Sequence, residues 1–246
     1  MRQLAAIGLT VLLAACGGGD SAAPSAPPPT VAVEGFWKRT AASGDPVALV
    51  ILGTGATLGV HTTSGGSIVG ALYGKTTASG TTLSGSGKYI NIPVPSVKSI
   101  EYSGTFVAKS NINVETFTGS PSSPFLGSYT RKADDQPASP TVVEGTFVGV
   151  GASGSSLLPT PSLTISSGAI TVPSFPFCSV SGTATPHPGG NNIFNVTMKF
   201  AGVLCLLGKG DFSGIAFYDA TTGQVVVMAL NADQSDSFIF VGEKIP

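Results

Sequence analysis

Residues 193–200, IFNVTMKF, set the fold class. Phe194, Val196, Met198 and Phe200 alternate with Asn195, Thr197 and Lys199. A period of two puts the first set on one face of a β-strand and the second on the other. The same alternation runs through SIVGALYG (67–74) and SIEYSGTFVA (99–108). GIAFYDATTGQVVVMAL (214–230) reads as a hairpin that turns over Asp219 to Gly223, and SFIFVG (237–242) supplies a closing strand. VALVIL (47–52) is apolar at every position, the pattern of a strand covered on both faces. No helical period of convincing length interrupts these runs, so the expected class is all-β.

The chain opens twice in the same way. Val33-Glu34-Gly35-Phe36-Trp37 returns as Val143-Glu144-Gly145-Thr146-Phe147. Each copy follows a proline-containing polar stretch, SAPPPTVA (25–32) and DDQPASPTV (134–142). We expect two small antiparallel barrel or sandwich domains, 33–133 and 142–246, joined by a linker over 134–141. One continuous sandwich with a chance echo is the alternative. Each half has room for seven or eight short strands.

Ahead of the first copy, Arg2 precedes a run from Leu4 to Ala15 that is apolar except for Gly8 and Thr10. It is shorter than the roughly 20 residues that cross a bilayer and has the length of a signal-peptide core. Leu13-Ala14-Ala15-Cys16 resembles the bacterial lipobox. The resemblance implies a signal peptide over 1–15, cleavage before Cys16, and lipidation of the Cys16 thiol and the new amino end. Two or three acyl chains hold a membrane stably where one does not. Gly17, in place of an aspartate, points to the outer membrane. Residues 16–32 then offer almost nothing to bury, and read as a disordered tether, flexible in its glycines and extended in its prolines. With this tether, the EGFW opening, CSVSGTATP, FNVTMKFAGVLC, SGIAFYD and ALNADQSDSFIFVG, the chain resembles a β-proteobacterial group of outer-membrane-type lipoproteins. That resemblance implies location and fold rather than chemistry. A slighter similarity, through glycine-punctuated strands such as YSGTFVA, is to the transferrin-binding type of barrel lipoprotein.

Composition narrows the partners. Charged residues make up 10% of the chain, net charge is −1, and hydrophobic residues reach 42%. Such a chain has enough apolar residues for a core but no basic field for nucleic acid. Chemical motifs are sparse. Gly53-Thr54-Gly55 follows a strand but Leu58 stands where a dinucleotide fingerprint needs its third glycine, so a turn is expected. Gly85 to Lys88, GSGK, lacks the spacing of a phosphate loop. The two histidines, His61 and His187, are far apart and carry no metal-ligand spacing. Asn231, Asp233 and Asp236 offer oxygens, but in the pattern of a polar turn rather than a calcium loop. Phe36, Trp37 and Phe147 are expected in cores rather than as sugar platforms. No catalytic residue, metal site or cofactor is predicted. The expected function is that of a membrane-anchored envelope lipoprotein that binds a protein or a small apolar ligand, or acts structurally, through loops or barrel interior. The alternative is an envelope enzyme with a site assembled from scattered residues.

With Cys16 lipidated, Cys178 and Cys205 remain as an even pair in an oxidising compartment, and we expect them to form a structural disulfide. CSVSGTA and IFNVTMKF form a hairpin around TPHPGGNN. Pairing Thr185 with Ile193 brings Cys178 opposite Phe200, from which AGVLC can curl Cys205 back.

Overall fold

Alternating residues form strands wherever one face finds an apolar cover, and this chain supplies that cover twice. The computed structural model describes residues 32–40, 45–92, 96–116, 125–129, 137–153, 156–158, 161–175, 178–188, 192–202, 205 and 210–246. The lipobox with Cys16, the segment 1–15 and the tether as far as residue 31 lie outside the described residues.

The first sheet runs through β1 (Gly35–Thr40), β2 (Pro46–Ile51), β3 (Ala56–Thr62), β4 (Ile68–Ser79), β5 (Thr82–Asn91), β6 (Ser96–Val107), β7 (Asn111–Thr116) and β8 (Phe125–Tyr129). Each strand pairs antiparallel with the next, and β8 returns to β1 through Tyr129 opposite Trp37, closing a barrel. A single helical turn, α1 (Pro140–Val143), precedes the second sheet. That sheet comprises β9 (Gly145–Ser153), β10 (Ser156–Leu158), β11 (Ser162–Ser166), β12 (Ala169–Phe175), β13 (Cys178–Pro186), β14 (Ile193–Ala201), β15 (Gly210–Asp219), β16 (Gln224–Asn231) and β17 (Ser237–Lys244). β9 pairs with β11 on one side and β17 on the other, so a second antiparallel barrel closes. The short β10 adds to the far half of β9, with Leu158 opposite Gly151.

The repeated Val-Glu-Gly opening has one structural job in both places. Gly35 and Gly145 adopt φ of 144° and 143°, a region that favours glycine. The turn drives Val33 and Trp37 into the end of the first barrel, and Val143 and Phe147 into the end of the second. All four are fully buried. The Trp37 indole N–H donates to the Val33 carbonyl at 3.2 Å, which satisfies its one polar atom inside the core. Glu144 accepts the backbone N–H of Ser167, tying the β11–β12 turn to the start of its barrel.

Both interiors are filled with side chains. Trp37, Leu49, Ile51, Leu83, Ile100, Tyr102 and Phe106 occupy the first. Phe147, Phe194, Met198, Phe200, Phe212, Phe238 and Phe240 are prominent in the second. IFNVTMKF behaves as its alternation requires: Phe194, Val196, Met198 and Phe200 face the core, while Thr197 and Lys199 are exposed. GSGK lies within β5, where Gly85 leaves room for the Tyr102 ring. A Cβ at position 85 would sit 2.3 Å from that ring. The tyrosine hydroxyl lies 2.8 Å from Thr76 Oγ1 inside the barrel.

The outer walls explain VALVIL. Leu49 and Ile51 point into the first barrel, whereas Val50 and Leu52 point out of it and pack against Ile193, Ile215 and Phe217 of the second. Phe36 belongs to the same outer cluster, stacked on Phe217 with centroids 3.7 Å apart. It is buried between barrels rather than inside one. A neighbouring cluster joins Val60, Ala71, Tyr73 and Ile90 to Ala152, Met228 and Ile239. The Tyr73 hydroxyl donates to the Gln234 carbonyl at 2.8 Å across this seam.

The β13–β14 hairpin differs from its expected register by two residues. Thr185 pairs with Asn195, not Ile193, and Ser179 with Ala201. A shift of two preserves which side chains face inward, so the core pattern is unchanged. The cause lies at the turn, where the His187 N–H donates to the Ile193 carbonyl and adds a rung beyond Pro186. Cys178 therefore falls just beyond the Ser179–Ala201 rung. Cys178 and Cys205 are joined by a disulfide, with their Cα atoms 4.6 Å apart, and Cys205 packs against the second core.

Candidate functional site

Among the described residues the barrel interiors are occupied by side chains, and open space lies between the barrels. A cleft of about 530 Å³ opens where the far ends of β1, β2 and β3 overhang the start of β16 and the middle of β17. Its floor is made of short apolar side chains, Ala48 and Val60 from one barrel and Val226 and Val241 from the other. Its rim carries Thr62, Thr63, Ser64 and Ser128 from the first barrel and Gln224 from the second. These residues meet because outward positions on β2 and β3 face outward positions on β16 and β17. Inward, the floor narrows to a gap of about 20 Å³ bounded by Phe36, Leu58, Phe217 and Met228.

Lys38 stands at the edge of this cleft. Its ammonium bonds Asp219 Oδ2, and its Nζ lies 5.0 Å from the Phe36 ring centroid. Asp219 is 4% exposed and uses its other oxygen on the turn, accepting the N–H groups of Thr221 at 2.9 Å and Thr222 at 3.3 Å. The predicted turn over Asp219 to Gly223 thus carries an ion pair between the two barrels. Burial pushes the Asp219 carboxyl up. The Lys38 hydrogen bond and charge, with the two turn N–H groups, outweigh it and hold the carboxyl below its ordinary value.

His61, at the end of β3, is half-buried beside the cleft. Burial lowers its pKa, the Asp45 charge raises it and the Arg39 charge lowers it, with a net fall. Asp45 also accepts the Ser64 backbone N–H at 2.9 Å, which fixes the β3–β4 turn on the cleft rim. Arg39 lines the rim and has partners of its own.

The other sequence candidates are placed elsewhere. Asn231, Asp233 and Asp236 shape the β16–β17 turn: Asn231 Oδ1 accepts the Asp236 N–H, and Asp233 accepts both the N–H and the hydroxyl of Ser235. One oxygen of each is engaged in the turn, and the Ser235 bonds hold the exposed Asp233 carboxyl below its usual value. Among the described residues no group of three His, Cys, Asp or Glu is placed to hold a metal ion. His187, beyond β13, shares a 2.8 Å hydrogen bond with Asn195 and lies in the other barrel from His61. Gly53 to Gly55 form the β2–β3 turn, where the Gly55 N–H donates to the Leu52 carbonyl.

Comparison with known protein families, curated proteins and solved structures finds no match. Sequence reasoning missed the cleft because its walls come from opposite ends of the chain. The one local signal was the two-sided apolar run VALVIL.

His61 and Asp219, the two shifted groups at the seam, bend stability in the same direction with pH. His61 has a folded pKa below 6.5, so its contribution is whole above 6.5 and is lost as pH falls through the lowered folded value. Asp219 has a folded pKa below 3.8, so its contribution is whole above 3.8 and is lost as pH falls further. Melting temperature followed from neutral pH into acid is expected to fall in two windows, beginning near these two values. His61→Gln is expected to remove the first fall and Asp219→Asn the second. At neutral pH Asp219→Asn is expected to cost about 1–2 kcal/mol, since Lys38 is partly solvated. A melting temperature indifferent to both substitutions in acid would contradict this assignment.

Proposed function

We propose that this chain is a lipid-anchored, non-enzymatic binding protein of the cell envelope, held at the outer membrane through Cys16, whose ligand sits in the cleft between the barrels. The observation that carries the binding reading is the distribution of space. Both barrels are packed with their own side chains, while a cleft of about 530 Å³, within the usual range for ligand sites, opens between them. Rigid walls on two sheets suit recognition, because the floor residues are held by ladder hydrogen bonds on both sides. Anchoring is supported by Leu13-Ala14-Ala15-Cys16 and the glycine- and proline-rich stretch behind it.

Two experiments test the two parts. Cys16→Ala is expected to abolish incorporation of labelled palmitate in the producing cell, and unchanged labelling would sink the anchor. Saturable methyl shifts at Ala48, Val60, Val226 and Val241 in a ligand screen are expected for the cleft. The enzyme reading rests on one observation, that the charges of Asp45 and Arg39 act on His61, whose chain neighbours Val60 and Thr62 line the cleft, with the imidazole favoured neutral at pH 7, a state suited to a general base. It requires an envelope hydrolytic activity that His61→Gln abolishes.

A further inference from the structure

We propose that the interbarrel cleft selects an uncharged amphiphile: a short apolar chain carrying a head of hydroxyl or amide groups. This rests on the cleft reading above and adds the ligand's class.

Three features converge on it. First, the floor is built from alanine and valine. Ala48, Val60, Val226 and Val241 leave width for a chain and offer it no polar atom from their side chains. Second, the cations at the edge are already engaged. Lys38 is paired with Asp219, whose other oxygen is bound to the turn, and Arg39 has partners of its own. A charged ligand group entering here would lose water, would meet Lys38 already paired, and would find no carboxylate among the lining residues, which is costly. Third, the rim groups other than Lys38 and Arg39 are neutral and both donate and accept: the hydroxyls of Thr62, Thr63, Ser64 and Ser128 and the Gln224 amide. Hydroxyl and amide heads match such donor–acceptor groups on both counts, whereas a carboxylate only accepts and an ammonium only donates. The inner end closes on the stacked Phe36 and Phe217 with only about 20 Å³ to spare, so the apolar part lies along the floor rather than burrowing between the barrels.

The test uses the chain from Gly17 to Pro246, made without lipid so that no detergent competes. Hexyl glucoside, hexanoate and hexyltrimethylammonium share one chain and differ in head charge. Titration is followed on the methyl groups of Ala48, Val60, Val226 and Val241. Hexyl glucoside is expected to shift them saturably and to bind at least tenfold tighter than either charged probe. Val226→Trp, which fills the floor, is expected to weaken it at least tenfold. Gln224→Ala, a rim change outside both core clusters, is expected to weaken it several-fold with an unchanged melting curve. Equal or tighter binding of a charged probe at these methyls overturns the class and leaves the cleft reading standing. Absence of saturable shifts with all three probes overturns both, as does binding that neither substitution alters.

Discussion

Replacing Phe217 with alanine is expected to lower the stability of the whole chain by about 3–5 kcal/mol, the usual range for a buried phenylalanine. Phe217 is 2% exposed, and half of its surroundings belong to the other barrel. The substitution removes the stack on Phe36 and leaves a void beside Val50 and Leu52, which the rigid ladders on either side cannot collapse to fill. Because the void is shared, both barrels should lose stability together. Thermal unfolding, followed at Trp37 in the first barrel and by far-ultraviolet circular dichroism for both, is expected to show one coincident transition, displaced downward. Two separated transitions, with only the second displaced, would mean that the seam contributes little. A chain severed at Ala138 should likewise stay together as a non-covalent pair. Cutting there removes no contact across the seam, while separating the halves would bare Phe36, Val50, Ile215, Met228 and Ile239 to water.

Opening the Cys178–Cys205 bridge is expected to cost roughly 3–4 kcal/mol. The two residues are 27 apart in sequence, and chain-entropy arguments give that range for a loop of such length. The bridge crosses from the start of β13 to the segment after β14, so it closes the open end of that hairpin and holds Cys205 against the second core. Cys205→Ser is expected to lower the denaturant midpoint by the corresponding amount and to leave the strand signature intact. Mass spectrometry of unreduced protein from the envelope should find no alkylatable thiol at either position. Two alkylatable thiols would overturn the bridge in the native protein.

What the sequence disclosed and what it withheld divide along a physical line. Alternation is local, so strands such as β14, the Asp219 turn and the two Val-Glu-Gly openings were legible, and an even cysteine pair at a hairpin's end pointed to its bridge. Register depends on the turn, and one extra rung at His187 moved Thr185 from Ile193 to Asn195. Side-to-side packing of barrels depends on what faces outward, which a run such as VALVIL signals without naming its cover. Phe36 was expected in a core and is buried at the seam instead, because its neighbour Trp37 takes the inward position. The cleft lay beyond local inference. Its residues span Lys38 to Val241, and only the closure of both barrels brings them to one place.

The seam joins unlike faces of two like units. Counted from each Val-Glu-Gly opening, β2 to β4 of the first barrel correspond to β11 to β13 of the second. The first set turns Val50, Leu58, Val60 and Tyr73 outward, and the second turns out Thr164, Thr171, Ser179, Ser181 and Thr183. A head-to-tail joint between repeats has no symmetry to close it, and if every unit carried both halves of the joint, chains would grow into filaments. Hydroxyls on the second barrel act as an end cap, as polar outer repeats do in solenoids. On the opposite flank Ser99, Glu101 and Thr105 of the first barrel are exposed between Val97 and Val107, which are exposed too. Each half of the joint occurs once among the described residues, so a chain whose seam is made has no second face of that kind to offer another copy.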